Sequence, residues 1–166
     1  MLISFIALFA AISGDVASPN TKAEITASRL AAAAALEGRE NARIPFTSNL
    51  RHFQVKYENH EDVLYLSTGP GKWYRAPLTC YGMGDAQSAM QIVPIDRGDG
   101  IDKFTRFRLI TMGDRMSRGG GTDCTISSLI ELTTTETVIF GVESQRQVDA
   151  RAARAAARAR TQTPNR

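Results

Sequence analysis

The sequence predicts a mainly β protein, a small antiparallel barrel or sandwich of about 5–7 strands with a helix at each end of the chain. Between residues 50 and 142, β-prone segments alternate with turns rich in Gly, Pro and Asp, and no helical pattern separates them. Ala-rich, helix-prone segments lie on both sides of this region. An apolar content of 43% and a charged content of 22% are close to globular averages, which excludes wholly disordered, collagen-like and polytopic membrane proteins.

The first 18 residues have the composition of a secretory leader. Residues 1–13 are apolar except for two serines, and small residues follow them. As a helix this run would span roughly 20 Å, less than the ~30 Å hydrocarbon core of a bilayer. We therefore expect a signal peptide over 1–18 and an exported protein, either periplasmic or extracellular. The alternatives are an N-terminal core helix and an uncleaved interfacial anchor.

An Ala-rich helical spacer is predicted over 19–43, with a helix from about 21 to 37. Thr21 and Glu24 have the spacing of a capping box, and Gly38 suits the C-terminal end. The bulkier apolar residues of this segment are Ile25, Leu30 and Leu36, and their spacing does not give one continuous apolar stripe along a helix. The helix is therefore expected to be a loosely attached arm.

The β domain is predicted over 44–142. Its expected strands are 50–57, 63–68, 72–78, 89–95, 103–111, 125–133 and 137–142. The turn at Gly69-Pro70-Gly71 is the strongest hairpin signal in the chain. This spacing without intervening helices favours an antiparallel sheet.

The hairpin around this turn carries the main candidate ligand-binding residues. With a three-residue turn, Ser67 faces Trp73, Tyr65 faces Arg75 and Val63 faces Pro77, and the opposite face supplies the core. Tyr65, Trp73 and Arg75 would then share the outer side of the sheet, where aromatic rings and a guanidinium can hold a sugar, a peptide or an anionic group. The alternative is that Trp73 packs in a second core layer or under a loop, with Arg75 pairing a carboxylate.

Cys80 and Cys124 are the only cysteines in the chain. In an exported protein we expect them to form a disulfide, which would close a loop of about 45 residues and contribute roughly 4 kcal/mol in the chain-entropy model. The alternatives are two buried thiols in a cytosolic protein or a redox pair. A spacing of 44 positions disfavours the redox pair, because catalytic dithiols usually form a C-x-x-C motif.

The stretch from Ile44 to about Glu136 resembles a family of small exported bacterial proteins that is classed only as a domain of unknown function. The residues that carry the likeness are the triplet Trp73-Tyr74-Arg75, the placement of Cys80, and Cys124-x-Ile-x-Ser-Leu after a Gly-rich segment. The resemblance implies a signal peptide and export. It brings no activity, because none is established for the family.

The sequence offers little for catalysis. With only His52 and His60, a Ser-His-Asp triad, an H-E-x-x-H helix and a three-histidine zinc site all fail on count or spacing. We therefore predict no catalytic residues, no bound metal and no cofactor. The enzymatic alternative is a hydrolase using the carboxylates of Asp96, Asp99 and Asp102, which lie in a Gly-rich turn.

The positive charge of the chain is concentrated in a basic Ala/Arg helical tail over 143–166, whose end is expected to be disordered. Residues 145–166 contain six Arg and one Asp and have a net charge of +5. Residues 1–144 have a net charge of −2, which gives +3 for the whole chain. On a helix from about 145 to 160, three of these arginines share one arc: Arg151, Arg154 and Arg158. They are candidates for contact with an anionic surface, including peripheral contact with a membrane. The tail has no aromatic residues for base stacking, which disfavours nucleic acid as a partner.

These observations favour a non-catalytic binding or interaction module of the cell envelope or periplasm. Its expected partner is another envelope protein, a glycan or an anionic ligand. The alternatives are the carboxylate-based hydrolase and a structural protein that its Arg-rich tail tethers to an anionic surface.

Overall fold

The computed structural model describes residues 21–81, 86–96, 100–117 and 120–161. The predicted signal peptide, Asp99 and the end of the tail lie outside the described residues. The helices are α1 (Lys22–Leu36), α2 (Met112–Ser117), α3 (Thr134–Ile139) and α4 (Gln145–Thr161). The strands are β1 (His52–Glu58), β2 (Glu61–Gly69), β3 (Lys72–Tyr81), β4 (Gln91–Pro94), β5 (Arg106–Ile110), β6 (Thr122–Ile126) and β7 (Ile130–Glu131). Among the helices of these segments, none has both the length and the apolar character needed to cross a membrane.

The predicted mainly β fold is confirmed. All seven strands belong to one antiparallel sheet of order β1-β2-β3-β6-β5-β4, in which β7 pairs with β3, and the sheet curls into a half-barrel. The β3–β6 pairing joins two three-stranded halves that are formed by β1–β3 and by β4–β6. Helices flank the sheet at both ends of the chain.

Two tight turns set the register of the first half of the sheet. Asn59 and His60, both with positive φ, form the turn between β1 and β2, where Glu58 pairs with Glu61. In the second hairpin, Gly71 has φ +77 and Gly69 pairs with Lys72, with an irregularity between Ser67 and Gly69. The extra residue at this bulge preserves the predicted register, and Tyr65 pairs with Arg75.

The inner face of the half-barrel holds the main hydrophobic core. Leu64, Leu66, Tyr74 and Ala76 contribute from the first half of the sheet, and Phe107 is fully buried in the second. The remaining buried members include Ile44, Leu78, Ile101, Leu109, Ile126 and Leu129. The alternation of residues in the β2–β3 hairpin therefore identified the correct face as the one that packs into the core.

The outer face of the β2–β3 hairpin is also covered, which corrects the expectation that it is exposed. Leu36 of α1 and the segment from Ile130 to Val142 pack over Val63, Tyr65 and Trp73 to form a second hydrophobic cluster. Phe140 is fully buried at its centre. The structure thus has the second core layer that was the alternative interpretation of Trp73.

The strand expected at 137–142 is wrong, because α3 occupies Thr134–Ile139. Thr133 and Glu136 form a complete capping box, with the Thr133 side chain accepting from the Glu136 N–H and the Glu136 side chain accepting from the Thr133 N–H. This cap satisfies two of the backbone N–H donors at the start of the helix, those of Thr133 and Glu136. Burial of Phe140 just after its end then outweighs the β propensity of the Thr-rich sequence.

Helix α1 matches the predicted helix closely, but it is not a loosely attached arm. Leu36 is buried, and Arg29 Nε donates to the Ile139 carbonyl at 3.1 Å, near the end of α3. Lys56 Nζ donates to the neighbouring carbonyl of Phe140 at 2.9 Å. Burial, followed by repulsion from Arg29, lowers the pKa of Lys56. These two cations satisfy carbonyls at the C-terminal end of α3 and thereby attach it to α1 and β1.

The predicted disulfide between Cys80 and Cys124 is present. The two residues lie directly opposite each other on β3 and β6. The bond therefore crosses the pairing that joins the two halves of the sheet.

Candidate functional site

The three residues expected to form an exposed ligand-binding face are on one face of the hairpin, but all are buried. Tyr65 has no exposed surface, and Trp73 and Arg75 are each 6% exposed. The Trp73 ring lies edge-on to His52, with the ring centroids 5.9 Å apart. Tyr65 and Trp73 are consequently parts of the second core layer, and Arg75 lines a surface groove.

Tyr65 and Arg75 belong to a buried polar cluster with Glu58. The Tyr65 hydroxyl donates to Glu58 Oε2 at 2.7 Å, and Arg75 Nη2 lies 3.7 Å from the same oxygen. The Arg75 guanidinium also stands over the Phe140 ring, 5.4 Å from its centroid. Burial and the neighbouring Glu58 carboxylate raise the pKa of Tyr65 well above its usual range, so this hydroxyl stays protonated and acts as a donor.

The cluster leaves hydrogen-bonding capacity unused. Arg75 Nη2 contacts Glu61 Oε1 at 3.5 Å, which is long for a charge-assisted bond. Within the described part of the chain, Arg75 Nε and Glu58 Oε1 are buried and have no partner. A buried guanidinium with spare donors is expensive for the fold and is therefore a candidate for ligand contact.

A groove between the C-terminal half of α1 and the end of the sheet exposes this arginine. Its volume is about 460 Å³. Leu30 and Leu36 line the helix side, Pro77 and Ile130 line the sheet side, and Arg75 lies between them. Glu37 and Glu61 also line the groove. It thus combines apolar walls with charges of both signs.

A second groove of about 730 Å³ runs along the basic helix. The groove is lined by the three arginines that were predicted to contact an anionic surface, Arg151, Arg154 and Arg158. Pro70 of the β2–β3 turn also lines it. Helix α4 has no buried residue, so this side of the helix is open to partners.

The three arginines have different surroundings. Arg151 Nη1 donates to Glu143 Oε1 at 2.7 Å, and its guanidinium occupies the space beside Gly71, so that a side chain at position 71 would have to displace it. Arg151 therefore attaches α4 to the hairpin turn. Across the described residues, the side chains of Arg154 and Arg158 form no hydrogen bond or ion pair.

Asp96 and Asp102, the two described residues among the three aspartates considered for a hydrolase, have structural partners instead. Asp96 accepts from the Arg106 backbone N–H at 2.6 Å and from its side chain, and these bonds lower the pKa of Asp96. Asp102 accepts from the Phe104 N–H at 2.9 Å. A general acid needs a raised pKa, so Asp96 is unsuited to that role. In addition, the described residues contain no group of three or more His, Cys, Asp or Glu that could hold a metal.

Three carboxylates that contact the candidate arginines were not predicted from the sequence: Glu58, Glu61 and Glu143. Glu58 was detectable, because extending β1 by one residue places it on the same face as Lys56 and opposite Glu61. Glu143 carried no comparable signal. It meets Arg151 only because α3 and the following turn fold back over the hairpin.

Comparison with protein-family models, curated proteins and solved structures produced no match for this chain.

Proposed function

We propose that this protein is an exported, non-catalytic binding module that attaches to an anionic partner through the arginines of α4. The carrying observation is the row of Arg151, Arg154 and Arg158 along one open groove; among the residues that the structure describes, Arg151 alone of the three is paired with a carboxylate. Guanidinium groups match carboxylates and phosphates geometrically, which makes such groups the favoured partners.

The row has an energetic cost for the isolated protein. Arg154 and Arg158 are separated by four positions on a helix, and like charges at this spacing destabilise it by about 0.2–0.5 kcal/mol. The many alanines of α4 offset this cost through high helix propensity. An anionic partner would remove the repulsion, so the arrangement suits a bound state better than a free one.

Export is supported by the disulfide, since such bonds persist mainly in oxidising compartments. The predicted leader over 1–18 and the resemblance to an exported family point the same way. We expect protein purified from an exporting host to have lost about 13–18 N-terminal residues and to resist thiol alkylation until it is reduced. Intact-mass spectrometry with and without reductant checks both. A full-length mass with two reactive thiols would contradict export.

Binding by the arginine row is tested with two anionic probes, phosphatidylglycerol-containing vesicles and soluble polyphosphate. We expect binding to at least one probe, weakening as salt concentration rises, and no binding to pure phosphatidylcholine vesicles. The double variant Arg154→Gln/Arg158→Gln should weaken binding about 30-fold, because each basic residue near an anionic surface contributes about 1 kcal/mol. Co-sedimentation and fluorescence titration measure these affinities.

The matched control is Arg146→Gln/Arg160→Gln, which removes the same charge from positions of α4 outside the row. This variant should retain most of the binding. Equal losses in the two double variants would show a response to net charge alone, and the proposed row would then be wrong. Failure of the unaltered protein to bind either probe would also refute the proposal.

A further inference from the structure

The groove beside α1 is distant in the chain from the arginine row and has a different chemistry. At its floor, Arg75 is more than nine-tenths buried; within the described segments of the chain its Nε has no partner and its contacts with carboxylates are long. At its rim, Glu61 is 45% exposed through its side chain, and Glu37 is exposed. The groove therefore presents one under-used cation and two accessible anions around one small space.

The state of Arg75 indicates that a ligand supplies a hydrogen-bond acceptor. Of its donors, Nη2 makes one contact within hydrogen-bonding distance, to Glu61 at 3.5 Å. Charge-assisted N–H···O bonds are normally about 2.7–2.9 Å long. A carboxylate entering the groove could form such bonds where the protein itself leaves Arg75 poorly satisfied.

The two glutamates indicate that the same ligand carries a positive charge. Glu37 makes no side-chain hydrogen bond or ion pair within the described residues, and Glu61 has only its long contact with Arg75. With these groups nearby, a purely anionic ligand would meet more negative than positive charge. A ligand with an ammonium beside its carboxylate would complement both signs.

The apolar walls specify the rest of the ligand. Leu30 is 56% exposed at the mouth of the groove, and Pro77 and Ile130 line the opposite side. The volume of about 460 Å³ is at the lower end of the range of about 300–1,000 Å³ for ligand pockets. This space suits an aliphatic side chain attached to a small charged head.

From these features we infer that the α1 groove binds an apolar α-amino acid as its zwitterion. The α-carboxylate accepts hydrogen bonds from Arg75, the α-ammonium lies between Glu37 and Glu61, and the aliphatic side chain packs on Leu30 and Pro77. The site is independent of the arginine row on α4.

The test is a calorimetric or NMR titration of the mature protein with L-leucine and two analogues that each lack one charge. Leucinamide keeps the ammonium without a carboxylate, and N-acetylleucine keeps the carboxylate without an ammonium. We expect saturable leucine binding with a Kd below about 10 mM and at least about tenfold weaker binding of both analogues. Absence of saturation by leucine, or an analogue that binds as tightly as leucine, would overturn the inference.

Variants at exposed positions avoid the risk that altering Arg75 prevents folding. Glu37→Gln should weaken leucine binding at least about threefold, whereas the matched change Glu40→Gln, just outside the groove, should leave it unchanged. Similarly, Leu30→Ser should weaken binding and Ile25→Ser, on the same helix, should not. Equal effects within either pair would overturn the assignment. The variant Arg154→Gln/Arg158→Gln should bind leucine normally, which separates this site from the proposed anionic surface.

Discussion

Removing the Cys80–Cys124 disulfide is expected to lower the free energy of unfolding by about 4 kcal/mol. The bond links residues 44 positions apart, and a loop of that length accounts for this value through the entropy of the unfolded chain. The position of the bond also matters for the folded state, because the bond links β3 to β6 and so holds the two three-stranded halves of the sheet together. Without it, those halves are held together mainly by strand pairing and by the inner core.

The loss is measured by urea denaturation of the double variant Cys80→Ala/Cys124→Ala. The unaltered protein in reductant provides an internal comparison and should show nearly the same loss, since both treatments release the same loop. A decrease below about 1 kcal/mol in both samples would show that the unfolded chain gains little freedom when the bond is broken.

The sequence predicted the hairpins well because their register depends on local chemistry. Gly71 adopts the positive φ that its residue type favours, and the bulge beside Gly69 absorbs the extra turn residue. Once that turn is placed, alternation determines the neighbours of Tyr65 and Arg75. The disulfide pair was equally accessible to prediction, because the chain contains no other cysteines.

Helix α3 shows how a local signal can be read incorrectly. The Thr-rich stretch near residue 134 favours a strand by residue type, yet Thr133 and Glu136 have the spacing of a capping box. The same spacing at Thr21 and Glu24 correctly identified α1. The capping box at Thr133 and Glu136 therefore predicts a helix start at α3, as the box at Thr21 and Glu24 does at α1.

The candidate site was less predictable because its environment is built from distant parts of the chain. The outer face of the hairpin is covered by Leu36 and Phe140, which lie on opposite sides of it in the sequence. Neither residue's spacing indicates that it folds back over Trp73. Only the structure shows that Arg75, although buried like its neighbours, lines a surface groove.

Replacing Arg75 with methionine is expected to destabilise the protein by about 3–5 kcal/mol. The change removes the cation beside Glu58 and leaves a carboxylate that is only 6% exposed, with Tyr65 as its remaining hydrogen-bond donor. The guanidinium's contact with the Phe140 ring is also lost, although methionine retains part of the apolar packing. Urea denaturation of Arg75→Met, Glu58→Gln and the double variant provides a cycle that isolates the coupling between the two charges.

Burial, rather than proximity, is the reason for this large expected effect. Arg108 and Asp123 are much closer, with Nε and Oδ1 2.6 Å apart, but their side chains are 42% and 47% exposed. Water solvates both partners of that pair, so Arg108→Met should change stability far less than Arg75→Met. In the buried cluster, the double variant should recover much of the loss, because it removes the isolated charge together with its partner. If Arg75→Met and Arg108→Met had equal effects, or if Glu58→Gln failed to offset Arg75→Met, the Glu58–Arg75 interaction would not be the source of the stabilisation.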